Sequence, residues 1–100
     1  MSRRIRFLPT AERDLDLIWA YRSQFGIDVA DRLMDRLRAA VGRLADHPFS
    51  APGLLGTQST VRRLSAFGHI FIYEIEPEQI AVLRIFDARQ DWLSILRHHR

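Results

Sequence analysis

Three arginines and a tyrosine in the second half of the chain could act on a phosphate or a carboxylate. Arg63, Arg84 and Arg89 carry forked guanidinium groups, which bind both anions through paired hydrogen bonds. Tyr73 carries a hydroxyl that could donate a proton. Metal-free cleavage of RNA needs a base for the 2′-hydroxyl, cations for the crowded phosphate and an acid for the leaving oxygen. The sequence supplies the cations, and Tyr73 is the acid to be weighed against a structural role in the core.

Other combinations of reactive side chains are weaker. Ser65 and His69 lie close in sequence but lack a third group that would orient the histidine. His98 and His99 are adjacent, so they do not share a helix face, and no third metal ligand is evident. The chain has no cysteine, which excludes a thiolate metal site and a cysteine nucleophile. We therefore expect neither a metal nor a cofactor.

Composition indicates an ordinary globular chain. Its 100 residues predict one domain, residues 1–100, with 47% hydrophobic and 27% charged residues. The net charge is +3 and all 15 basic residues are arginine, which permits an acidic partner or nucleic acid but demonstrates neither. The start "MSRRIRFLP" lacks the apolar run of a signal peptide, and no apolar stretch is long enough to span a membrane. We expect a cytoplasmic protein.

Two amphipathic patterns predict a helical hairpin after a short first strand, "RIRFL". Thr10 is the predicted N-cap of the first helix and Gly26 its end; Asp28 is the predicted cap of the second, which Pro48 terminates. The predicted apolar stripes are Ala11, Leu15, Ile18, Trp19, Arg22 and Phe25 in the first helix, and Val29, Leu33, Leu37, Ala40, Val41 and Leu44 in the second. Helices this close in sequence pack antiparallel.

Three strands and a short helix follow a loop rich in Pro, Gly, Ser and Thr. "VRRLSAF", "GHIFIYEI" and "IAVLRIFD" predict consecutive antiparallel strands, and "DWLSILRHHR" predicts the closing helix. The predicted fold is α+β: a strand, a helical hairpin, a three-stranded antiparallel sheet and a short C-terminal helix. Alternation places Tyr73, Arg84 and Phe86 on the sheet face away from the hairpin. A short helix covers little of that face, so we expect a second chain to cover the rest.

Five segments, in this order, resemble the RelE/ParE superfamily of toxins from bacterial type II toxin–antitoxin pairs. They are "AERDLDLIWAY", the "L…HP" exit of the second helix, "VRRL", "GHIFIYEI" and "VLRIFDARQDW". The closing segment is most similar to the ParE branch. That resemblance implies a toxin that binds and blocks DNA gyrase and is neutralised by a ParD-like antitoxin. It implies a toxin that acts by binding and not by catalysis, with no membrane association and no sequence-specific nucleic-acid binding.

The resemblance also assigns two surfaces. The target-binding residues it implies are Arg63, Tyr73, Arg84, Phe86, Arg89 and Trp92. In this superfamily the antitoxin lays a helix on the hairpin and adds a strand to the sheet, which implies antitoxin contacts at Leu15, Trp19, Arg22, Leu33 and Leu37. Plainer roles stay open: Arg63 and Arg89 could pair with Asp87 or Asp91, and an arginine among apolar neighbours such as Arg84 must be paired or meet a partner.

Three other functions are compatible with the sequence. A RelE-like ribosome-dependent mRNA endonuclease would use Arg63 and Arg89, but Ile70 stands where those enzymes carry an arginine, and the C-terminal segment has no tyrosine. A non-toxic binding module of the same fold is the second, and a generic nucleic-acid binder, with strongly salt-dependent affinity, is the third.

Overall fold

The element order matches the predicted one. The computed structural model describes residues 2–54, 56 and 59–98. Its elements are β1 (Arg4–Phe7), α1 (Pro9–Ser23), α2 (Ile27–Gly42), a 3-10 turn (Arg43–Ala45), β2 (Val61–Ala66), β3 (His69–Ile75), β4 (Gln79–Asp87) and α3 (Trp92–Arg97). Of the C-terminal histidine pair, His99 lies outside the described residues. No helix in the described part of the chain is long and apolar enough to cross a membrane.

The sheet has four strands in the order β1-β4-β3-β2. β3 pairs antiparallel with both β2 and β4, which confirms the predicted antiparallel three-stranded unit. β1 adds to it as a parallel edge strand, with Arg4 opposite Gln79 and Phe7 opposite Val82. A parallel pair needs a long crossover connection, and the hairpin is part of the connection between β1 and β4. The sheet is therefore mixed.

An irregularity in β4 decides which side chains face the hairpin. Ile72 lies opposite Arg84 and Tyr73 opposite Val82, so Leu83 is an extra residue in the ladder. The alternation of β4 changes phase there. Tyr73 joins the core under the hairpin, and the expectation that it shares a face with Arg84 and Phe86 is wrong.

The hairpin covers one sheet face with a close-packed core. Phe71 and Tyr73 are its largest fully buried side chains, both 0% exposed. Their buried neighbours include Leu15, Leu37, Val41, Leu44, Ile80, Val82 and Ile85. Burial of this apolar area is the main stabilising contribution to such a fold.

The second sheet face is covered by the chain itself. Ile70, Ile72 and Phe86 are 6%, 1% and 3% exposed. The side chains packed over them are Leu54, Val61, Leu83, Trp92, Ile95 and Leu96, from the loop, β2, the extra residue of β4, and α3. The expectation that this face waits for a second chain is wrong, because the loop and the extra residue of β4 add to what α3 supplies.

The helix ends differ from the predicted ones. α1 begins at Pro9 with Leu8 at the N-cap, and the Thr10 hydroxyl instead donates to the Leu83 carbonyl, at 2.8 Å. α2 begins at Ile27, and Asp28 lies in its first turn without a capping hydrogen bond. Both cap predictions were therefore wrong.

Candidate functional site

A groove of about 680 Å³ lies between α1 and the end of β4 with the segment that follows it. Arg84, Phe86 and Arg89, three of the predicted target-binding residues, line this groove together with Arg22. Its other lining residues are Asp14, Leu17, Ile18, Tyr21, His69, Ile85, Asp87, Gln90 and Ile95. The structure thus brings Arg22, expected on a separate antitoxin surface, into the same site.

The groove exists because α1 replaces β1 along the outer edge of β4. β1 ends opposite Val82, and the next backbone groups of β4 bond to side chains of α1. Thr10 donates to the Leu83 carbonyl, and the Asp14 carboxylate accepts from the Ile85 amide, both at 2.8 Å. This part of the β4 edge is therefore closed to strand addition, and the space beside α1 is left for side chains.

Arg84 is held rigidly in the wall of the groove. Its Nε lies 2.8 Å and its Nη2 3.3 Å from the two oxygens of Asp14, a bidentate pair. The guanidinium carbon lies 4.7 Å from the centre of the Phe86 ring. The Arg84 side chain is 25% exposed and that of Asp14 is 12% exposed. The positive charge expected in the sheet is therefore paired within the chain. The remaining N–H groups of Arg84 stay available for a ligand.

Arg89 pairs with Asp87 at the mouth of the groove. Asp87 accepts from the Arg89 backbone amide at 2.8 Å, and from Nε and Nη2 at 3.1 Å each. These bonds lower the pKa of Asp87 from 3.8 to about 2, and the bond from the Arg89 side chain has the largest effect. The Arg89 side chain is 86% exposed, so this pair shapes the turn more than it stabilises the fold.

The low pKa of Asp87 predicts a pH dependence. A carboxylate whose pKa is lowered by folding stabilises the protein above its unfolded pKa, and that contribution is lost as the pH falls from about 4 to 2. We expect wild type to be more stable than Asp87→Asn at pH 7, with the gap closing over that range in urea unfolding. A gap that is equal at pH 7 and pH 2 would contradict the assigned ion pair.

His69 directs one ring nitrogen into the groove. Its Nδ1 lies 3.0 Å from the Phe67 carbonyl, and because a carbonyl only accepts, Nδ1 carries the proton in the neutral ring. The ring is 4% exposed. In the described residues, every fully buried side-chain nitrogen or oxygen has a hydrogen-bond partner. No such partner is found there for Nε2 of His69, so this atom is not fully buried and reaches the solvent of the groove.

Tyr73 lies in the core under the hairpin and does not line the groove. Its hydroxyl donates to the Pro48 carbonyl at 2.7 Å, and burial raises its pKa above 10.0. The side chain is fully buried, so a target reaches it only if the hairpin moves. The plainer role, a core residue with a bonded hydroxyl, is what the structure shows.

Arg63 and Trp92 also lie outside the groove. Arg63 is half-buried on β2, opposite Ile72, and Trp92 packs over the second sheet face as the anchor of α3. Sequence reasoning overlooked Arg62, which is 6% exposed and donates to the Ala51 carbonyl at 2.6 Å. The signal was its alternation with Arg63, which directs it toward the hairpin.

The residues predicted for the antitoxin separate into core and surface. Leu15 and Leu37 are 2% and 0% exposed, so the expectation that they line an open groove is wrong. Leu33 is half-buried against the core. Trp19 is half-buried and donates from Nε1 to Asp31 at 2.9 Å, joining α1 to α2. Any antitoxin contact at these positions stays a prediction.

An apolar stripe along α1 and the residues just after it was missed. Leu17, Tyr21 and Phe25 are 64%, 56% and 63% exposed, and the Tyr21 and Phe25 rings meet edge to face at 5.6 Å. Phe25 was predicted to face the core. The spacing of four residues between these three side chains could have revealed the stripe, but the stronger pattern around Leu15 concealed it.

The sequence identifies the family to which this site belongs. Residues 5–92 match the family described as "ParE toxin of type II toxin-antitoxin system, parDE". A chain of Sinorhizobium fredii named "Putative toxin Y4kP" is 36% identical over 99 residues, covering 96% of this chain and 100% of that one. The chain belongs to the ParE toxin family. The predicted resemblance to the superfamily, and to its ParE branch, is confirmed.

Solved structures share the fold of this ParE-family chain at low sequence identity. The chromosomal ParDE system from P. aeruginosa matches with a TM-score of 0.73 at 19% identity, covering 88% of this chain and 98% of that one. The RelBE2 complex of Mycobacterium tuberculosis matches at 0.62 and 18%, covering 87% and 99%. The E. coli DinJ-YafQ complex matches at 0.57 and 17%, covering 87% and 93%. The α+β prediction is thereby confirmed.

Metal ligands do not gather in this site. Within residues 2–54, 56 and 59–98, no group of three or more His, Asp or Glu side chains is placed to hold a metal ion. The ParE-family groove instead offers arginines, one histidine nitrogen and apolar walls. Such a surface is suited to recognising a partner that carries both an anion and apolar side chains.

Proposed function

We propose that this ParE-family toxin inhibits DNA gyrase by binding it, and that a ParD-like antitoxin holds it silent. The observation that carries the proposal is the groove, in which Arg84, Phe86 and Arg89 gather beside α1. The guanidinium groups of Arg84 and Arg89 are held in advance by Asp14 and Asp87, so these two side chains lose little entropy when a target binds.

The positions of the candidate acid–base groups favour binding over chemistry. Tyr73, the candidate acid, is fully buried and bonded to Pro48. The charges of Arg84 and Arg89 are each balanced by a carboxylate, which weakens their attraction for a crowded phosphate. Ile70, at the position where the related endonucleases carry an arginine, is buried on the second sheet face and provides no cation.

The exposed stripe along α1, continued by Phe25 just after the helix, supports an antitoxin partner. Leu17, Tyr21 and Phe25 offer the spacing at which an amphipathic helix docks into a complementary surface. The P. aeruginosa structure of the same fold is a ParDE system, which makes a ParD-like chain the natural candidate. The antitoxin would cover apolar area that is otherwise exposed to water.

A RelE-like ribosome-dependent mRNA endonuclease is the second candidate function. The observation in its favour is His69, whose Nε2 faces the groove beside Arg89 and could accept a proton from a 2′-hydroxyl. Arg63 and Arg89 would be its cations. A non-toxic binding module would use the same groove without blocking growth.

Pulse labelling separates these functions. We would induce the chain alone in a tolerant bacterial host and follow thymidine and methionine incorporation over the next minutes. Gyrase inhibition predicts that thymidine incorporation falls first while protein synthesis continues. An early loss of methionine incorporation would favour the endonuclease, and unchanged incorporation of both would favour the non-toxic module.

A further inference from the structure

The cations of the groove differ in what they already bind. Arg84 and Arg89 are each paired with an aspartate of the chain. Arg22 lines the same groove from α1, half-buried, and no ion pair or side-chain hydrogen bond engages its guanidinium among the described residues. Arg22 is therefore the groove cation whose charge is available for an incoming anion.

The walls around Arg22 are apolar and partly aromatic. Leu17, Ile18 and Tyr21 approach from α1, and Phe86 and Ile95 from the other side. Leu17 and Tyr21 are more than half exposed, so a ligand that covers them removes apolar area from water. A ligand for this groove must therefore bring apolar surface as well as its anion.

The two aspartates limit the kind of anion. Asp14 and Asp87 both line the groove, and a nucleic acid would bring a row of phosphates close to both carboxylates. Because Asp14 and Asp87 offset Arg84 and Arg89, the groove offers Arg22 as its uncompensated cation, which is a poor match for a row of phosphates. A single carboxylate beside apolar side chains matches Arg22 and the free N–H groups of Arg84. The chemistry favours a protein segment over DNA or RNA.

We propose that the groove receives a segment of gyrase itself, in which apolar residues flank one Asp or Glu, and that Arg22 is its ion-pair anchor. This inference rests on the proposed function, and it names the part of the partner that the site recognises. Leu17 and Tyr21, which the proposed antitoxin would cover and so keep from gyrase, contact the apolar side chains of that segment, while Arg84, held by Asp14, supplies a second donor. The gyrase–DNA complex is then recognised through its protein surface.

Charge reversal at Arg22 tests this inference with the full-length chain and purified gyrase. Arg22→Glu should raise the concentration that halves DNA supercoiling by at least about tenfold, because it replaces attraction with repulsion. Tyr21→Ser should raise it as well, and it leaves the charge unchanged. The matched control is Arg32→Glu, since Arg32 is exposed on α2 and outside the groove. Arg32→Glu should change the concentration that halves supercoiling by less than about threefold, because Arg32 lies outside the proposed contact.

The outcomes separate the inference from the proposed function. If wild type inhibits gyrase and Arg22→Glu behaves like Arg32→Glu, with both variants folded by circular dichroism, the inference is wrong and the proposed function stands. If a short DNA duplex without gyrase binds wild type and Arg22→Glu abolishes that binding, the groove recognises nucleic acid and the inference is also wrong. If wild type fails to bind or inhibit gyrase, the proposed function falls and the inference falls with it.

Discussion

Phe71→Ala should lower the free energy of unfolding by about 3–5 kcal/mol, the range for truncating a large buried aromatic side chain. Phe71 is 0% exposed in the middle of β3, with Leu64 and Ile85 opposite it on the neighbouring strands. Helix and sheet meet at this position, so neither side can move in to fill the cavity without losing its own contacts. In a chain of this size such a loss is a large share of the total stability.

Urea unfolding of Phe71→Ala beside Phe67→Ala provides the measurement and its control. Phe67 is 53% exposed at the turn between β2 and β3, so its truncation should change stability by no more than about 0.5 kcal/mol. Equal effects of the two substitutions would mean that the sheet face under the hairpin is assigned incorrectly.

Asp14→Ala should lower the free energy of unfolding by about 2–3 kcal/mol, because this one substitution leaves two groups without their hydrogen-bond partner. Arg84 loses its bidentate carboxylate while it is only 25% exposed, and the Ile85 amide loses its acceptor at the edge of β4. The estimate lies below the range for fully buried pairs, since water reaches part of Arg84.

The comparison for Asp14→Ala is Asp16→Ala, an exposed carboxylate two residues further along α1. Denaturant unfolding should show little change for Asp16→Ala. Asp14→Asn should fall between the two, since its amide oxygen still accepts from Ile85. An Asp14→Ala variant as stable as Asp16→Ala would contradict the role of Asp14 in closing the β4 edge.

The fold could be predicted from local patterns, which is why element order and type were correct. Phe71 and Tyr73 share one face of β3, as strand alternation requires, but that face lies under the hairpin and not away from it. The extra residue Leu83 could not be predicted, because a bulge depends on how two strands pair and both strands remain plausible without it. That one residue moved Tyr73 away from Phe86 and added cover to the second face.

The candidate site was predicted in part. Arg84, Phe86 and Arg89 do line one groove, since they lie at the end of β4 and just after it, and their role in target binding stays a prediction. Arg22 was placed on a different surface, because only the tertiary structure shows that α1 continues along β4 where β1 stops. The partner of Arg84 was missed for the same reason, since Asp14 is 70 residues away in sequence.

The most direct test of gyrase inhibition uses the purified chain in two parallel reactions. One follows ATP-dependent supercoiling of plasmid DNA by gyrase, and the other follows mRNA integrity on translating ribosomes. Gyrase inhibition by binding predicts that supercoiling stops as the chain is titrated in while the mRNA stays intact. Cleavage of ribosome-bound mRNA at concentrations that leave supercoiling unchanged would contradict it and make His69, Arg63 and Arg89 the residues to test next.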